Sequence, residues 1–229
     1  MPTPAPATPL LAVRSLTVTR PGDGAPATVL HGVDLTVSGG ALTDIVGPSG
    51  SGKTTLLLAL ARLLPGVEGQ LSLAGRPATG ISPEVWRSRV AYLPQRSALI
   101  PGSVHHNLTL PWRLKVRAGE QPPADADLRA ALDRVHLADV GLDREADRLS
   151  EGQAARIALL RCILTRPDVL LLDEPDASLD DESAAQVAAL TREFVDGGGA
   201  VIRVRHLRAD GTADRRLRLA GGSLAEERT

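Results

Sequence analysis

The chain reads Gly47-Pro48-Ser49-Gly50-Ser51-Gly52-Lys53-Thr54 directly after the apolar residues Ile45-Val46 and directly before the helix-forming run Thr55-Leu56-Leu57-Leu58-Ala59-Leu60-Ala61. This is the pattern G-x-x-x-x-G-K-[ST] in the strand–loop–helix context that it requires. Glycines let the backbone approach a phosphate closely, and the free N–H groups at a helix start favour negative charge. The stretch therefore predicts a loop that binds the phosphates of a nucleotide through residues 47–55.

Two side chains of this loop have predicted chemical roles. Lys53 is expected to neutralise the β- and γ-phosphates, and the Thr54 hydroxyl is expected to ligate Mg²⁺. The chain has 26 Lys and Arg residues, of which only Lys53 and Lys115 are lysines. In a chain that otherwise uses Arg, a lysine at this position indicates a chemical requirement.

The composition limits the classes of function. At 229 residues the chain is long enough to bury a sizeable core, and aromatic residues are only 2% of it, so that core must be aliphatic. A net charge of −1 gives no field that would attract nucleic acid, and we expect no nucleic-acid partner. The single cysteine, Cys162, cannot form an intrachain disulfide and is expected to pack in the core.

The sequence predicts no segment that crosses a membrane. Its apolar runs are shorter than the roughly 20 residues that a bilayer requires. Residues 1–9 lack the positive and apolar regions of a secretion signal, and we expect them to be a disordered lead-in. Any association with a membrane is therefore expected to be peripheral.

Apolar runs alternate with helical patterns along most of the chain. Leu10–Thr19 and Thr28–Val37 predict an antiparallel β pair, and continuous aliphatic runs such as Leu42–Val46 are typical of strands buried on both faces of a parallel sheet. The fold class predicted is α/β: a P-loop core with a mostly parallel sheet, an N-terminal antiparallel β subdomain and a helical subdomain at about 97–160 inserted into the core. The other predicted elements are strands at Gly69–Ala74, Val90–Leu93, Ala200–Val204 and Arg216–Leu219, and helices at Asp125–Val135, Ser150–Leu164 and Asp181–Val195.

The apolar strand predicted at Val169–Leu172 ends at two acidic residues, Asp173 and Glu174. A strand that delivers a carboxylate to the edge of the sheet predicts that Asp173 ligates Mg²⁺, and Glu174 can then polarise a water molecule. The adjacent pair His105-His106 is assigned to a surface loop rather than to a metal site, because neighbouring histidines rarely face one ion.

A third motif indicates which family of nucleotide-binding proteins the chain resembles. Leu149-Ser150-Glu151-Gly152-Gln153 resembles the signature of the ATP-binding cassette (ABC) ATPases, which usually reads L-S-G-G-Q. The run Asp173-Glu174-Pro175-Asp176-Ala177-Ser178-Leu179-Asp180 is similar to the family's D-E-P-T-x-x-L-D. Gln95 matches the Q-loop glutamine and His206 the switch histidine. The resemblance covers about Leu10 to Leu219, which we assign to one ABC ATPase domain, with residues 220–229 expected as a C-terminal tail.

The resemblance implies that two cassettes pair head to tail, with ATP between the phosphate loop of one and the signature of the other. Ser150, Gly152 and Gln153 would then contact the γ-phosphate held by the second copy. Glu174 would be the general base, and His206 would contact the γ-phosphate. Gln95 would help to ligate Mg²⁺ or water, and Asp180 would cross the interface. We expect a dimer of two identical chains.

The sequence departs from the family pattern at three positions. Counting back from the phosphate loop, the position of the aromatic residue on which members usually stack adenine falls at Arg20 or Thr19. The planar guanidinium of Arg20 can stack on the base, or Arg20 can be a solvated turn residue. Glu151 replaces a glycine of the signature, which places a carboxylate near a bound phosphate. Asp44 lies inside a strand that is expected to be buried, and the sequence offers no partner for it.

The resemblance therefore predicts an ATPase subunit of an ABC transporter on the cytoplasmic face of the membrane, docked to a separate permease. We expect the segment Gln95–Trp112, with Leu99, Ile100 and Val104 exposed, to form the docking surface. Similarity of Pro83–Arg87 and Asn107–Trp112 to iron-exporting (Fet-type) cassettes predicts export of iron or another metal. The alternatives left open are a lipoprotein- or macrolide-type export cassette and a soluble ABC ATPase of iron–sulfur cluster assembly.

Overall fold

The computed structural model describes residues 8–20, 27–96, 99–177, 179–205 and 211–227. Its strands are β1 (Leu11–Arg20), β2 (Ala27–Val37), β3 (Leu42–Val46), β4 (Val67–Leu73), β5 (Arg76–Pro77), β6 (Val90–Leu93), β7 (Val169–Asp173), β8 (Ala200–Val204), β9 (Arg215–Ala220) and β10 (Ser223–Glu226). Its α-helices are α1 (Lys53–Leu60), α2 (Pro83–Arg89), α3 (Val104–Thr109), α4 (Asp125–Arg134), α5 (Glu151–Leu164) and α6 (Asp181–Asp196). The predicted α/β architecture is confirmed.

The central sheet has six strands in the order β10-β9-β3-β8-β7-β6, and all neighbours except β9 and β10 are parallel. Every residue of β3, β7 and β8 is buried. Continuous aliphatic runs form these strands because helices or the second sheet cover both of their faces. The carboxyl ends of β3, β7 and β8 consequently open at one edge of the sheet, where the loops carrying the motifs begin.

The second sheet is antiparallel and has the order β2-β1-β4-β5. Leu11, Val13, Leu16 and Val18 of β1 are buried and join one core cluster with α1 and one face of the central sheet. The other face of the central sheet shares a separate cluster with α4, α5 and α6. The helical region is thus packed onto the nucleotide-binding core through a continuous apolar interior.

Asp44 has a partner that the sequence did not reveal. It lies on β3 beside Arg203 of β8, and the guanidinium donates to both carboxylate oxygens, with Nε–Oδ1 and Nη2–Oδ2 distances of 2.8 and 3.1 Å. Both side chains are almost fully buried. The bidentate pair compensates two charges whose burial inside a sheet would otherwise cost much free energy. Asp44 and Arg203 therefore depend on each other for stability.

Three expectations need correction. The expected C-terminal tail contains β10, which pairs with β9 through the turn Gly221-Gly222, where φ is +53° and +75°. His105 and His106 lie on α3 and not in a surface loop, and His105 Nε2 is 3.3 Å from Asp125 Oδ1. Val104, expected to be exposed for docking, is fully buried in the helical cluster. The apolar contacts of α3 outweigh the exposure that its loop-like sequence suggested.

Candidate functional site

The phosphate loop leaves the carboxyl end of β3 and enters α1 at Lys53. Gly50 and Gly52 have φ of +77° and +100°, a conformation that side-chain-bearing residues rarely adopt. A Cβ on Gly47 would lie 2.1 Å from the main-chain oxygen of Leu219 on the neighbouring strand β9. The glycines are therefore required by the path of the loop as well as by its expected ligand.

Lys53 is held at the mouth of this loop. Only 6% of the residue is exposed, and its Nζ donates to the main-chain oxygens of Gly47 and Pro48 at 2.9 and 3.0 Å. The buried Ser51 hydroxyl has no hydrogen-bond partner in the described part of the chain. A concave loop that offers an ammonium, a free hydroxyl and main-chain N–H groups is chemically suited to a phosphate.

Asp173, the last residue of β7, presents its carboxylate at the same edge of the sheet. Its Oδ2 accepts a hydrogen bond from the Tyr92 hydroxyl at 3.2 Å, whereas its buried Oδ1 has no partner within the described residues. Burial and the nearby Asp173 raise the pKa of Tyr92, so the phenol remains a donor. An oriented carboxylate with one uncommitted oxygen fits a hard cation such as Mg²⁺, and Thr54, which is exposed, can supply a second oxygen.

Glu174 and Gln95, two of the predicted site residues, are in direct contact. The Gln95 Nε2 donates to Glu174 Oε2 at 2.9 Å, and Glu174 is 8% exposed. Glu174 has a left-handed φ of +49°, and its N–H donates to the Val204 oxygen at the end of β8. A cavity of about 410 Å³ opens here, and its lining includes Gln95, Glu174 and Glu151. The carboxylate therefore faces a space large enough for water and phosphate.

The signature residues begin α5. The Ser150 hydroxyl accepts from the Gln153 N–H at 3.2 Å, and the Gln153 side chain accepts from the Ser150 N–H at 3.0 Å. This reciprocal arrangement is a capping box, and Ser150 itself is exposed. In the described part of the chain, the partners of Ser150 and Gln153 lie within α5. The exposed start of the helix is thus available to an anion brought by another molecule.

Gly152 and Asp180 both contact Ser183 of α6. A Cβ on Gly152 would lie 2.5 Å from the Ser183 hydroxyl oxygen. Asp180 caps α6 by accepting from the Ser183 N–H at 2.7 Å, and this main-chain hydrogen bond is the largest cause that lowers the pKa of Asp180. The carboxylate is fully exposed apart from that bond. Signature and Asp180 therefore form one surface patch built on two helix starts.

Arg20 is not part of this cluster, and the position of His206 is not described. Arg20 lies exposed at the end of β1, opposite Ala27 of β2, and its proposed stacking on a base stays a prediction. His206 falls outside the described residues, and its predicted contact with the γ-phosphate also stays a prediction. Sequence reasoning missed Tyr92, although it is the only tyrosine and directly precedes Leu93-Pro94-Gln95.

A comparison with known protein families matches residues 30–177 to the family described as "ABC transporter". The chain belongs to the ABC transporter family. It is an ATP-binding, ATP-hydrolysing subunit of that family, as its phosphate loop, acidic pair and signature predict. In the described part of this ABC ATPase, no helix is both long and apolar enough to cross a membrane.

Curated relatives of this ABC ATPase differ in transport direction. It is 38% identical over 185 residues to the cytochrome c biogenesis ATP-binding export protein CcmA 2 of Cupriavidus metallidurans, covering 79% of this chain and 83% of that protein. It is 38% identical over 203 residues to the hemin import ATP-binding protein HmuV of Streptomyces coelicolor, covering 86% and 71%. It is 33% identical over 169 residues to the probable iron export ATP-binding protein FetA of Escherichia coli, covering 74% and 73%.

Among solved structures, a bacterial Atm1-family ABC exporter with ATP bound superimposes with a TM-score of 0.80 at 25% identity. The match covers 96% of this chain and 38% of the exporter chain. This ABC ATPase thus corresponds in length to about two fifths of that larger protein, and the agreement concerns the cassette fold.

Proposed function

We propose that this ABC ATPase powers a transporter whose membrane permease is a separate chain, with two copies of the cassette closing around two ATP molecules. The observation that carries the proposal is the gathering of Lys53, Asp173, Glu174 and Gln95 at one edge of the central sheet. The phosphates would lie on residues 47–55, with Lys53 leaving its main-chain acceptors for the β- and γ-phosphate oxygens. When bound, Mg²⁺ would neutralise phosphate charge next to Asp173 and Thr54.

Glu174 is the group that we assign to the attacking water. Gln95 holds one of its carboxylate oxygens by a hydrogen bond, and its low exposure limits competition from bulk solvent. We assign Gln95 to orienting that carboxylate and, once nucleotide binds, to the metal or the water. His206 is proposed to contact the γ-phosphate from the segment that follows β8.

The second copy would complete the site through its signature. Ser150 caps a helix of 14 residues whose first turn contains Gly152 and whose start is exposed, and such a helix start favours the γ-phosphate of an opposing molecule. Asp180 lies on the same patch through Ser183 and would meet the partner cassette. ATP would then hold two identical chains together, and hydrolysis would release them because the γ-phosphate contacts exist only in the closed state.

An apolar groove beside β6 is the proposed docking site of the permease. It has a volume of about 530 Å³ and lies between α1, α2 and the helical region. The exposed large hydrophobic residues Leu63 and Leu114 line it, and the exposed Val85 lies on the adjoining helix α2. Of the segment Gln95–Trp112, on which docking was expected, the groove lining includes Pro111. We therefore propose that the permease docks in this groove and not on the segment Gln95–Trp112.

The charges around the groove specify its occupant. Among the described residues that line the groove, one is acidic, Glu84, and four are basic: Arg87, Lys115, Arg117 and Arg161. An apolar surface with a basic rim suits a cytoplasmic helix of the permease that carries an apolar face and acidic flanks. The chain would accordingly lie on the cytoplasmic face of the membrane. We further propose that transport is export and that iron is the first substrate to test, since FetA is named for iron export.

Two experiments test the proposal. In Glu174→Gln the carboxylate becomes an amide that cannot accept the proton, so we expect ATP binding to persist, turnover to fall at least ~100-fold and a dimer to accumulate with ATP. Unchanged hydrolysis would remove Glu174 from its role. Leu114→Asp should abolish copurification with a coexpressed multi-span permease that the wild-type chain retains, whereas the matched exposed variant Ala130→Asp on α4 should leave it intact. Equal copurification of both variants would show that the permease docks elsewhere.

A further inference from the structure

We infer that the ion pair between Asp176 and Arg205 positions Glu174 for hydrolysis, an inference that rests on the role proposed for Glu174. Asp176 follows Glu174 by two residues, and Arg205 directly follows the last residue of β8. The Arg205 Nη2 donates to Asp176 Oδ2, and both side chains are 13% exposed. The family motif has threonine at the position of Asp176. This chain thus has a carboxylate there, and the Arg205 guanidinium at the end of the adjacent strand binds it.

The main chain on both sides of this pair is fixed to neighbouring strands. The N–H of Glu174 donates to the Val204 oxygen at 3.1 Å, which joins the catalytic turn to the end of β8. The N–H of Arg205 donates to the Ile45 oxygen at 3.1 Å, which joins it to the strand leading into the phosphate loop. The ion pair adds a side-chain link across the same gap. Glu174 therefore lies between a main-chain hydrogen bond and an ion pair whose side chains are mostly shielded from solvent.

The conformation of Glu174 requires such support. Its φ of +49° is disfavoured for a residue with a side chain, and strained residues persist only where their surroundings hold them. The turn is closed by the Ala177 N–H on the Glu174 oxygen, and the Leu179 N–H donates to the Asp176 oxygen. Without Asp176 bound to Arg205, the turn can relax and carry the Glu174 carboxylate away from its water.

Charge balance gives a second, independent reason. Asp173, Glu174 and Asp176 place three carboxylates within four residues, at an edge that must receive a triphosphate. The Arg205 guanidinium compensates Asp176, so the pair adds no net charge near the phosphates. Removing Arg205 alone leaves the mostly buried Asp176 carboxylate beside the site without the Arg205 cation, and removing Asp176 alone takes from Arg205 the carboxylate to which its Nη2 donates. Each single loss is therefore expected to be worse than losing both charges together.

If the Asp176–Arg205 ion pair only stabilised the fold, its loss would lower the melting temperature and leave turnover unchanged. A second ion pair serves as the control for this alternative. Arg89 Nε and Asp168 Oδ2 are 2.6 Å apart, and Asp168 precedes β7 just as Asp176 follows it. This pair lies at the amino end of β7, away from Glu174. Asp168→Asn should lower the melting temperature and leave turnover by the folded protein unchanged.

The experiment measures steady-state ATP hydrolysis by the full chain, with kcat normalised to nucleotide-binding sites. Asp176→Asn and Arg205→Gln should each lower kcat roughly 10- to 100-fold while KM for ATP stays within about 2-fold. The double variant, which restores a neutral hydrogen-bonding pair, should be closer to the wild type than either single variant. Arg205→Lys, which keeps the charge, should retain more activity than Arg205→Gln and serves if the latter does not fold.

The inference is overturned if the single variants keep wild-type kcat, if their losses add in the double variant, or if the loss of kcat disappears once activity is normalised to the folded fraction. Glu174→Gln is measured in parallel. If it keeps normal turnover, the proposed role of Glu174 fails. If it is inactive while Asp176→Asn is fully active, only the positioning role of the ion pair fails.

Discussion

Gly47→Ala tests whether the phosphate loop depends on its contact with β9. The added Cβ would lie 2.1 Å from the Leu219 oxygen, which belongs to the main chain and cannot rotate away. A carbon–oxygen contact of about 3.3 Å requires a displacement of about 1 Å. Overpacking of this kind costs about 1–3 kcal/mol, which for a domain of this size lowers the melting temperature by roughly 2–10 °C.

The same displacement acts on the chemistry, because the loop carries Lys53 and the N–H groups that face the phosphates. A misplacement of about 1 Å can cost roughly 100-fold in kcat/KM, or about 2.7 kcal/mol of transition-state stabilisation. Steady-state ATP hydrolysis and a thermal melt measure the two effects separately. Gly80→Ala is the control, since no atom of the described residues lies within 4 Å of a Cβ placed on Gly80 and its φ is not left-handed. Wild-type kcat/KM and melting temperature for Gly47→Ala would refute the reasoning.

Three further substitutions or modifications have defined outcomes. Tyr92→Phe removes the hydrogen bond to Asp173 and should raise the Mg²⁺ concentration for half-maximal hydrolysis roughly 10-fold; an unchanged Mg²⁺ titration would contradict it. Cys162 is partly exposed as a residue, yet burial raises the pKa of its thiol from 9.0 to about 11. Alkylation of the folded chain at pH 8 should therefore be ~100-fold slower than in denaturant, as followed by mass spectrometry, and equal rates would show an accessible thiolate. Gly152→Ala should weaken ATP-dependent dimerisation in size-exclusion chromatography, and adding Ser183→Ala should restore part of it; no restoration would mean that the Ser183 contact is irrelevant.

The parts of the site that sequence predicted are those in which the main chain does the binding. The phosphate loop needs glycine at Gly47, Gly50 and Gly52 for reasons of backbone geometry, and such needs leave a fixed local pattern. The acidic end of β7 and the capped start of α5 are equally local, because each is defined within a few neighbouring residues. These features were identifiable without knowing which strands are adjacent.

The side-chain pairs could not be predicted in this way. Asp44 and Arg203 are 159 residues apart, Tyr92 and Asp173 are 81 apart, and Asp176 and Arg205 are 29 apart. Each pair meets only because the strand order is β3-β8-β7-β6, which no local periodicity specifies. The β9–β10 hairpin is different: its Gly221-Gly222 turn between short strands is a local signal that was present in the sequence and overlooked.

The strand order also explains why β6 and β8, which lie on the two sides of β7, contribute to different parts of the site. Tyr92 lines the groove proposed for the permease, and its hydroxyl donates to Asp173, the carboxylate proposed to bind Mg²⁺. On the other side of β7, the neighbouring Glu174 is bonded to the end of β8, where Arg205 begins the segment that leads to His206. The two acidic residues at the end of β7 are therefore oriented by different neighbouring strands. Tyr92 of β6, which lines the groove, orients Asp173, and the end of β8 orients Glu174. Substitutions on the groove side should thus alter Mg²⁺ dependence, whereas substitutions on the β8 side should alter turnover at saturating Mg²⁺.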